Sequence, residues 1–233
     1  MAAPLGSPTL ILIPTAVERR RIEDCGGFEP GIALVAQCGF GPIAAAARTA
    51  ELLERFKPAR VMLIGIAGTF DAERLPVGNA IEFDAVAIEG IGAGEGERLV
   101  GPTAMGFPQW PGSPGGAEPI HDRIVLASRS APADPRALRD PEKSALLLST
   151  CAASDSPDHA RLRRARFPEA LAEDMEGFAV AFACTLAGVP ISIVRGVSNV
   201  VGDREPGHWR IPAALAAARL CALESLHAQR PRG

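Results

Sequence analysis

No run of apolar residues in this 233-residue chain approaches the ~20 needed to cross a bilayer. The N-terminal stretch carries no charged leader, and its apolar segment, Leu10 to Ile13, is far too short for a secretory signal. A basic surface is missing as well. The chain has 24 Lys and Arg against 27 Asp and Glu, and its net charge of -3 argues against nucleic acid or an anionic membrane as partner. No Cys-x-x-Cys pair occurs. The five cysteines (Cys25, Cys38, Cys151, Cys184, Cys221) are odd in number and scattered, and the four His are dispersed. Neither a disulfide framework nor a zinc site is expected, and the thiols read as small apolar side chains. The two glycine clusters that follow strands, Gly39-Phe40-Gly41 and Gly65-Ile66-Ala67-Gly68, do not read as dinucleotide or P-loop fingerprints, which speaks against a cradle for a nucleotide phosphate. These absences predict a cytoplasmic protein with no metal and no cofactor.

What remains is an ordinary globular composition, 47% hydrophobic and 22% charged. It suffices for one domain over 1–233 with a sizeable core, with 1–8 and 229–233 as frayed ends. Short apolar runs at Thr9–Ile13, Ile32–Gln37, Val61–Ile66, Ala80–Ile88, Ile124–Ala127, Ala145–Ser149 and Ile191–Val197 read as strands. They lack strict two-residue alternation, which predicts strands covered on both faces. Pro42–Phe56, Gly177–Leu186 and Pro212–Leu226 read as helices. The second is apolar on every side and is stopped by Gly188 and Pro190. The expected fold is α/β, with a mixed, mostly parallel central sheet flanked by helices. The stretch 90–118 breaks the pattern. It is dense in Gly and Pro yet carries Met105, Phe107 and Trp110, which suits a loop covering a site or a subunit interface.

Chemistry concentrates near the C-terminus, in Asp174-Met175-Glu176-Gly177 and Arg195-Gly196-Val197-Ser198-Asn199. Glu176 opens an apolar helix. It is either a solvated carboxylate facing the helix dipole or one that accepts both hydroxyls of a ribose, with Met175 against the sugar. Asn199 either hydrogen-bonds its own turn or holds a base, since one amide offers both donor and acceptor. Arg195 inside a buried strand needs an anion, and Glu18 and Glu176 are the candidates. Glu18 itself follows the first strand, as a helix-start residue or as a ligand group beyond a strand's carboxyl end. The glycines at Gly39-Phe40-Gly41 and Gly65-Ile66-Ala67-Gly68 suit a tight turn or a close backbone approach to a ligand.

Singly these signals are weak, but their order is informative. Glu after the first strand, Gly-x-Gly before an Ala-rich helix, Gly-x-Ala-Gly, Pro-Val-Gly at 76–78, Met-Glu-Gly and Arg-Gly-Val-Ser-Asn follow one another in the chain. This series resembles the nucleoside phosphorylase and nucleosidase superfamily from about Leu10 to Leu226. Within it the chain is most similar to the futalosine hydrolase family, through Arg195 to Trp209. The resemblance implies a nucleoside phosphorylase-like fold and hydrolysis of the N-glycosidic bond of futalosine. That reaction releases hypoxanthine and dehypoxanthine futalosine in menaquinone biosynthesis. It further implies Glu18, Glu176 and Asn199 as catalytic residues, and Ala67, Gly68, Met175, Arg195 and Ser198 as substrate-binding residues.

Three features sort the family's branches. Where related phosphorylases hold phosphate with Arg and Ser, this chain has Leu63 and Ile66, which favours water as nucleophile. Where adenine-releasing relatives carry Asp, it has Asn199, which donates to N7 or a 6-oxo oxygen but cannot hand over a proton. The resemblance also implies a homo-oligomer in which Met105, Phe107 and Trp110 close a neighbour's pocket. The base-stacking ring of related nucleosidases has no counterpart in Thr150–Ser154. Another purine nucleosidase, of the methylthioadenosine/S-adenosylhomocysteine or aminodeoxyfutalosine type, stays open, as do a phosphorylase and a non-catalytic nucleoside-binding homologue.

Overall fold

The computed structural model describes residues 8–127 and 145–228; of the expected frayed ends, 1–8 and 229–233, all but residue 8 lie outside them. Among the described residues nine strands form one mixed sheet: β1 (Thr9–Ile13), β2 (Leu34–Gln37), β3 (Arg60–Thr69), β4 (Ala80–Glu82), β5 (Ala85–Glu89), β6 (Arg123–Val125), β7 (Leu146–Thr150), β8 (Ala170–Asp174) and β9 (Ile191–Val200). The helices are α1 (Ala16–Asp24), α2 (Gly41–Phe56), the short α3 (Pro102–Met105), α4 (Pro157–Arg166), α5 (Gly177–Leu186) and α6 (Ile211–Ala228). Among the described strands the pairings β1·β2, β1·β3, β3·β9, β5·β7 and β7·β8 are parallel, and β3·β8, β4·β9 and β5·β6 antiparallel. The mostly parallel α/β architecture is thus as expected.

Successive side chains of a strand point to opposite faces, and here both faces are covered. Leu10 and Leu12 pack with Val61 and Leu63 under α2 and α5, whereas Ile11 and Ile13 pack with Met62 and Ile64 under α1 and α6. The central strand β3 meets β1 through its first half, β9 along its length, and β8 only through Gly68 and Thr69. Burial of this kind, at about 25 cal/mol per Å² of apolar surface, holds the frame on which the loops stand.

Several expectations needed revision. The run Ala80–Ile88 is two strands. The carboxylate of Asp84 accepts from the backbone of Ala145 (3.0 Å), and the chain there leaves β9 to pair with β7. Both β3 and β9 run three residues beyond their expected ends, so Ala67, Gly68, Ser198 and Asn199 are strand residues. Strand β8 and helix α4 were not expected, because their sequences are rich in charge. The loop 90–118 holds α3 and the isolated bridge of Ala93 with Val100, and its Trp110 bridges to Ile120 just beyond it. Trp110 packs on its own chain's core, while Met105 and Phe107 are exposed.

Helix α6 crosses β9 so closely that a Cβ on Gly196 would lie 1.9 Å from the carbonyl oxygen of Ala214. Backbone cannot swing away as a side chain does. We therefore expect Gly196→Ala to destabilise the fold by about 3 kcal/mol. An unchanged denaturant midpoint would mean that α6 does not pack there.

Candidate active site

The carboxyl ends of β1, β3, β8 and β9 surround a cavity of ≈ 340 Å³. This is within the usual size of a small-molecule site. Register between β3 and β9 slips here. Ala67 pairs with Val197 but Gly68 pairs with Asn199, leaving Ser198 as an extra residue. Such a bulge re-aims the side chains that follow it, and Ser198 and Asn199 both line the cavity with Ala67 and Gly68 facing them.

Behind the wall lies Arg195, 0% exposed. Its principal partner is Asp174, which was not among the anions expected for it. Nε and Nη2 donate to Asp174 Oδ2 at 3.0 and 2.5 Å, and Nη2 is 3.4 Å from Glu176 Oε2. Glu18 makes no ion pair with it within 4 Å. Asp174 also accepts from Ser149 Oγ (2.5 Å) and from the backbone of Gly177 (2.8 Å). Burial alone would pull the guanidinium down, but Asp174, Glu176 and Glu18 together hold it above its usual range. Arg195 Nη1 is buried without a hydrogen-bond partner among the described residues. It faces the place where Gly65 has no Cβ, since that atom would sit 2.1 Å from Nη1 and 2.7 Å from Glu18 Oε1.

Glu176 stands at the N-cap of α5, 6% exposed, without capping the helix. Its Oε1 accepts from the backbone of Gly41 at the start of α2 (2.9 Å). Burial raises its carboxyl to about 7, against the pull of Arg195, with Asp174 and Glu18 adding to the rise. Beneath it the buried Cys38 thiol is pushed up to about 12, chiefly by burial, which leaves it an inert apolar group.

Glu18 is fixed by a capping box. Oε2 accepts from Thr15 N (3.1 Å) and Thr15 Oγ1 (2.6 Å), and Oε1 accepts from the backbone of Ile66 (3.1 Å). Asn199 Oδ1 lies 2.8 Å from the Ser198 hydroxyl. Its Nδ2 donates to the carbonyls of Val200 (2.8 Å) and, weakly, Asp203 (3.5 Å).

Of the residues anticipated for a site, Glu18, Ala67, Gly68, Met175, Glu176, Ser198 and Asn199 line this one cavity, and Arg195 stands behind it. Met105, Phe107 and Trp110 do not reach it. The sequence reading missed the aromatic walls. Phe40 and Trp209, distant in the chain from Thr150–Ser154, line the cavity together with Ala153 and Ser154. It also missed Glu173, whose carboxylate takes Ser154 N (2.7 Å), Ser154 Oγ (2.6 Å) and Arg163 Nη1 (2.8 Å) and so fixes another part of the wall. An Arg and a Glu ten residues apart gave no sequence signal. Glu18, Glu173, Asp174 and Glu176 make the lining acidic, and Arg204 is its one basic residue.

A family model described as "Phosphorylase superfamily" matches residues 29–226. The futalosine hydrolase of Streptomyces coelicolor is 32% identical over 228 residues, covering 89% of this chain and 91% of that one. A 5′-methylthioadenosine/S-adenosylhomocysteine nucleosidase of Marinomonas sp. is 31% identical over 196 residues, 82% and 80% of the two chains. The solved structure of Helicobacter pylori futalosine hydrolase shares the fold, with a TM-score of 0.70 at 17% identity over 96% of this chain and 98% of that one.

Because the Glu176 carboxyl is raised from 4.5 to about 7, its ionisation opposes folding. The sign is fixed by the direction of the shift. Below pH 4.5 the group is neutral folded and unfolded, and nothing is lost; between 4.5 and 7 the unfolded chain ionises first, so stability falls. Above pH 7 the loss reaches about 3 kcal/mol. We expect Glu176→Gln to unfold at a higher temperature than the parent at pH 8, with the two converging below pH 5. Equal melting temperatures at pH 8 would contradict the raised carboxyl.

Proposed function

Since the chain belongs to the phosphorylase superfamily, we propose that it is a nucleosidase that hydrolyses the N-glycosidic bond of futalosine. The products are hypoxanthine and dehypoxanthine futalosine. The observation that carries this reading is the acidic cavity lining, with its buried guanidinium already held by Asp174 and Glu176. A phosphate dianion entering there would meet carboxylates and little compensating charge. Water meets no such barrier. The similarity to a named futalosine hydrolase and the amide of Asn199 both favour a 6-oxo purine.

Water oxygen bonds to C1′ while the bond from C1′ to the base nitrogen breaks, and Glu18 takes the proton that the water gives up. The three hydrogen bonds on Glu18 set its orientation. Glu176 grips the 2′ and 3′ hydroxyls. Positive charge developing on the ribose favours its ionised form, so its attraction is greater in the transition state than in the bound substrate. Asn199 gives up its weak bond to the Asp203 carbonyl and turns that N–H to the departing purine, with Ser198 holding the amide oxygen, and the base takes its proton from solvent. Met175 packs against the sugar, and the backbone of Ala67 and Gly68 lies along the ligand.

We extend the reading to a cytoplasmic homo-oligomer in menaquinone biosynthesis. Val17 and Phe40 line the cavity yet are 65% and 66% exposed, and Ile43, one turn along α2, is 86% exposed. An apolar rim of this kind suits a second subunit.

Purified protein in phosphate-free buffer should release hypoxanthine from futalosine, with no sugar phosphate formed when phosphate is added. Glu176→Gln and Glu18→Gln should each slow release on the order of 100-fold or more. Release only from adenine nucleosides would replace the substrate with the methylthioadenosine type, and a need for phosphate would make it a phosphorylase. Thermal stabilisation by nucleosides without any release would leave a binding protein.

A further inference from the structure

A second hollow lies between strand β2 and helix α2, with a volume of ≈ 560 Å³ against ≈ 340 Å³ for the candidate active site. It exists because β2 ends the sheet on this side. Among the described strands β2 pairs with β1 alone, and α2, which follows it through Gly39-Phe40-Gly41, forms the opposite wall. Part of the lining is apolar, with Val35, Leu52 and Phe56 in it. Three arginines complete it, Arg19 from α1 and Arg48 and Arg55 from α2, and no carboxylate lines it among the described residues. The candidate active site has the opposite character, with four carboxylates and one arginine in its lining.

These arginines are held in place without being used up. Arg19 Nε donates to Glu23 Oε1 at 2.8 Å, and Arg48 Nη1 lies 2.5 Å from Glu51 Oε2. Both pairs are half-exposed, and surface pairs of this kind are worth at most about 1 kcal/mol. Each engages one nitrogen of a guanidinium that carries five N–H donors. Arg55 has no ion pair among the described residues; its guanidinium carbon stands 5.2 Å from the centre of the Phe56 ring. A carboxylate already draws on two of the three. Glu51 is held below its ordinary range first by Arg48 and, more weakly, by Arg55. Two turns of α2, about 10 Å along the axis, separate Arg48 from Arg55. Linked anionic groups can meet both where they stand, whereas a single small anion meets one.

We propose that this groove is a second ligand site and takes a phosphate ester, its linked phosphates bridging the arginines and its organic body covering Val35, Leu52 and Phe56. The guanidinium fork matches phosphate oxygens in pairs. A hollow of this volume accommodates a molecule the size of a nucleotide. Side-chain cations hold the phosphates here, so no glycine-rich loop is required. A second copy of this chain is a poor occupant, because its own groove would set three more guanidiniums against these. The groove shares no lining residue with the candidate active site, so the inference does not rest on the nucleosidase reading.

The test is calorimetric titration of the full chain at low salt with adenosine triphosphate, inorganic tripolyphosphate and an oligoglutamate peptide. The nucleoside triphosphate should bind most tightly, tripolyphosphate less so because it leaves the apolar lining uncovered, and both should weaken as salt is raised. The double variant Arg48→Gln/Arg55→Gln, altered at the surface of α2, should lose on the order of 10-fold or more in affinity for both. Arg20→Gln/Arg21→Gln removes the same charge from exposed positions outside the groove and should bind as the parent does. No binding by the parent, or equal losses in the two double variants, would overturn the proposal. Tripolyphosphate binding as tightly as the ester would overturn it in favour of a free oligophosphate. The peptide binding more tightly than either would overturn it in favour of an acidic protein segment.

Discussion

The buried pair of Arg195 and Asp174 sets the geometry of everything around the cavity. A guanidinium taken fully out of water costs several kcal/mol unless its charge and its N–H groups are met. Asp174 meets the charge and the Nε and Nη2 groups with one oxygen, and through its two oxygens together it joins four elements: Ser149 at the end of β7, β8 itself, the first N–H of α5 and β9. The Ser149 hydroxyl in turn accepts from the backbone of Phe178. A pair of this kind is weak evidence for stability, and replacing it by apolar groups would be cheap in free energy. What it supplies is position. Met175 and Glu176 follow directly in the chain, so their place over the cavity is set by where Asp174 is held.

Neighbouring residues of β8 carry this logic to both sides. Side chains alternate along a strand. Asp174 turns to Arg195, and Glu173 turns to Arg163, which also approaches Glu89 at 3.5 Å. Each of these acids is thus matched by its own arginine, and Glu18 and Glu176 are left to make the cavity acidic. Glu176 bears the consequence. It gains only a distant share of Arg195, and burial leaves its carboxyl raised to about 7. A group that is costly to ionise in the free protein can interact more favourably when positive charge forms beside it, which ties the instability of the site to its chemistry.

How much of this the sequence revealed depends on what each segment must satisfy. Apolar runs such as Thr9–Ile13 and Gly177–Leu186 were legible because burial itself selects their residues. Strand β8 was not, since Glu173 and Asp174 look like surface residues until Arg163 and Arg195 arrive from 10 residues before and 21 residues after them in the chain. Asn199 read as lying beyond its strand because a bulge at Ser198 is invisible without the partner strand. Phe40 and Trp209 were passed over for the same reason. Rings that line one cavity from separate loops share no local pattern.

The structure also shows why bland and functional readings of one residue need not compete. Glu18 is a helix-capping glutamate, and the capping box is what presents its carboxylate to the cavity. Asn199 bonds to its own turn, at Val200 and Asp203, and those bonds aim the amide. Glu176 stands at a helix N-terminus but caps nothing, its oxygens turned to Gly41 and Arg195. In each case the local hydrogen bonds that a structural role requires remove the rotamer freedom that would otherwise have to be lost on binding. A residue fixed for the fold's sake is already ordered for the ligand, and this is why the site needs so few groups.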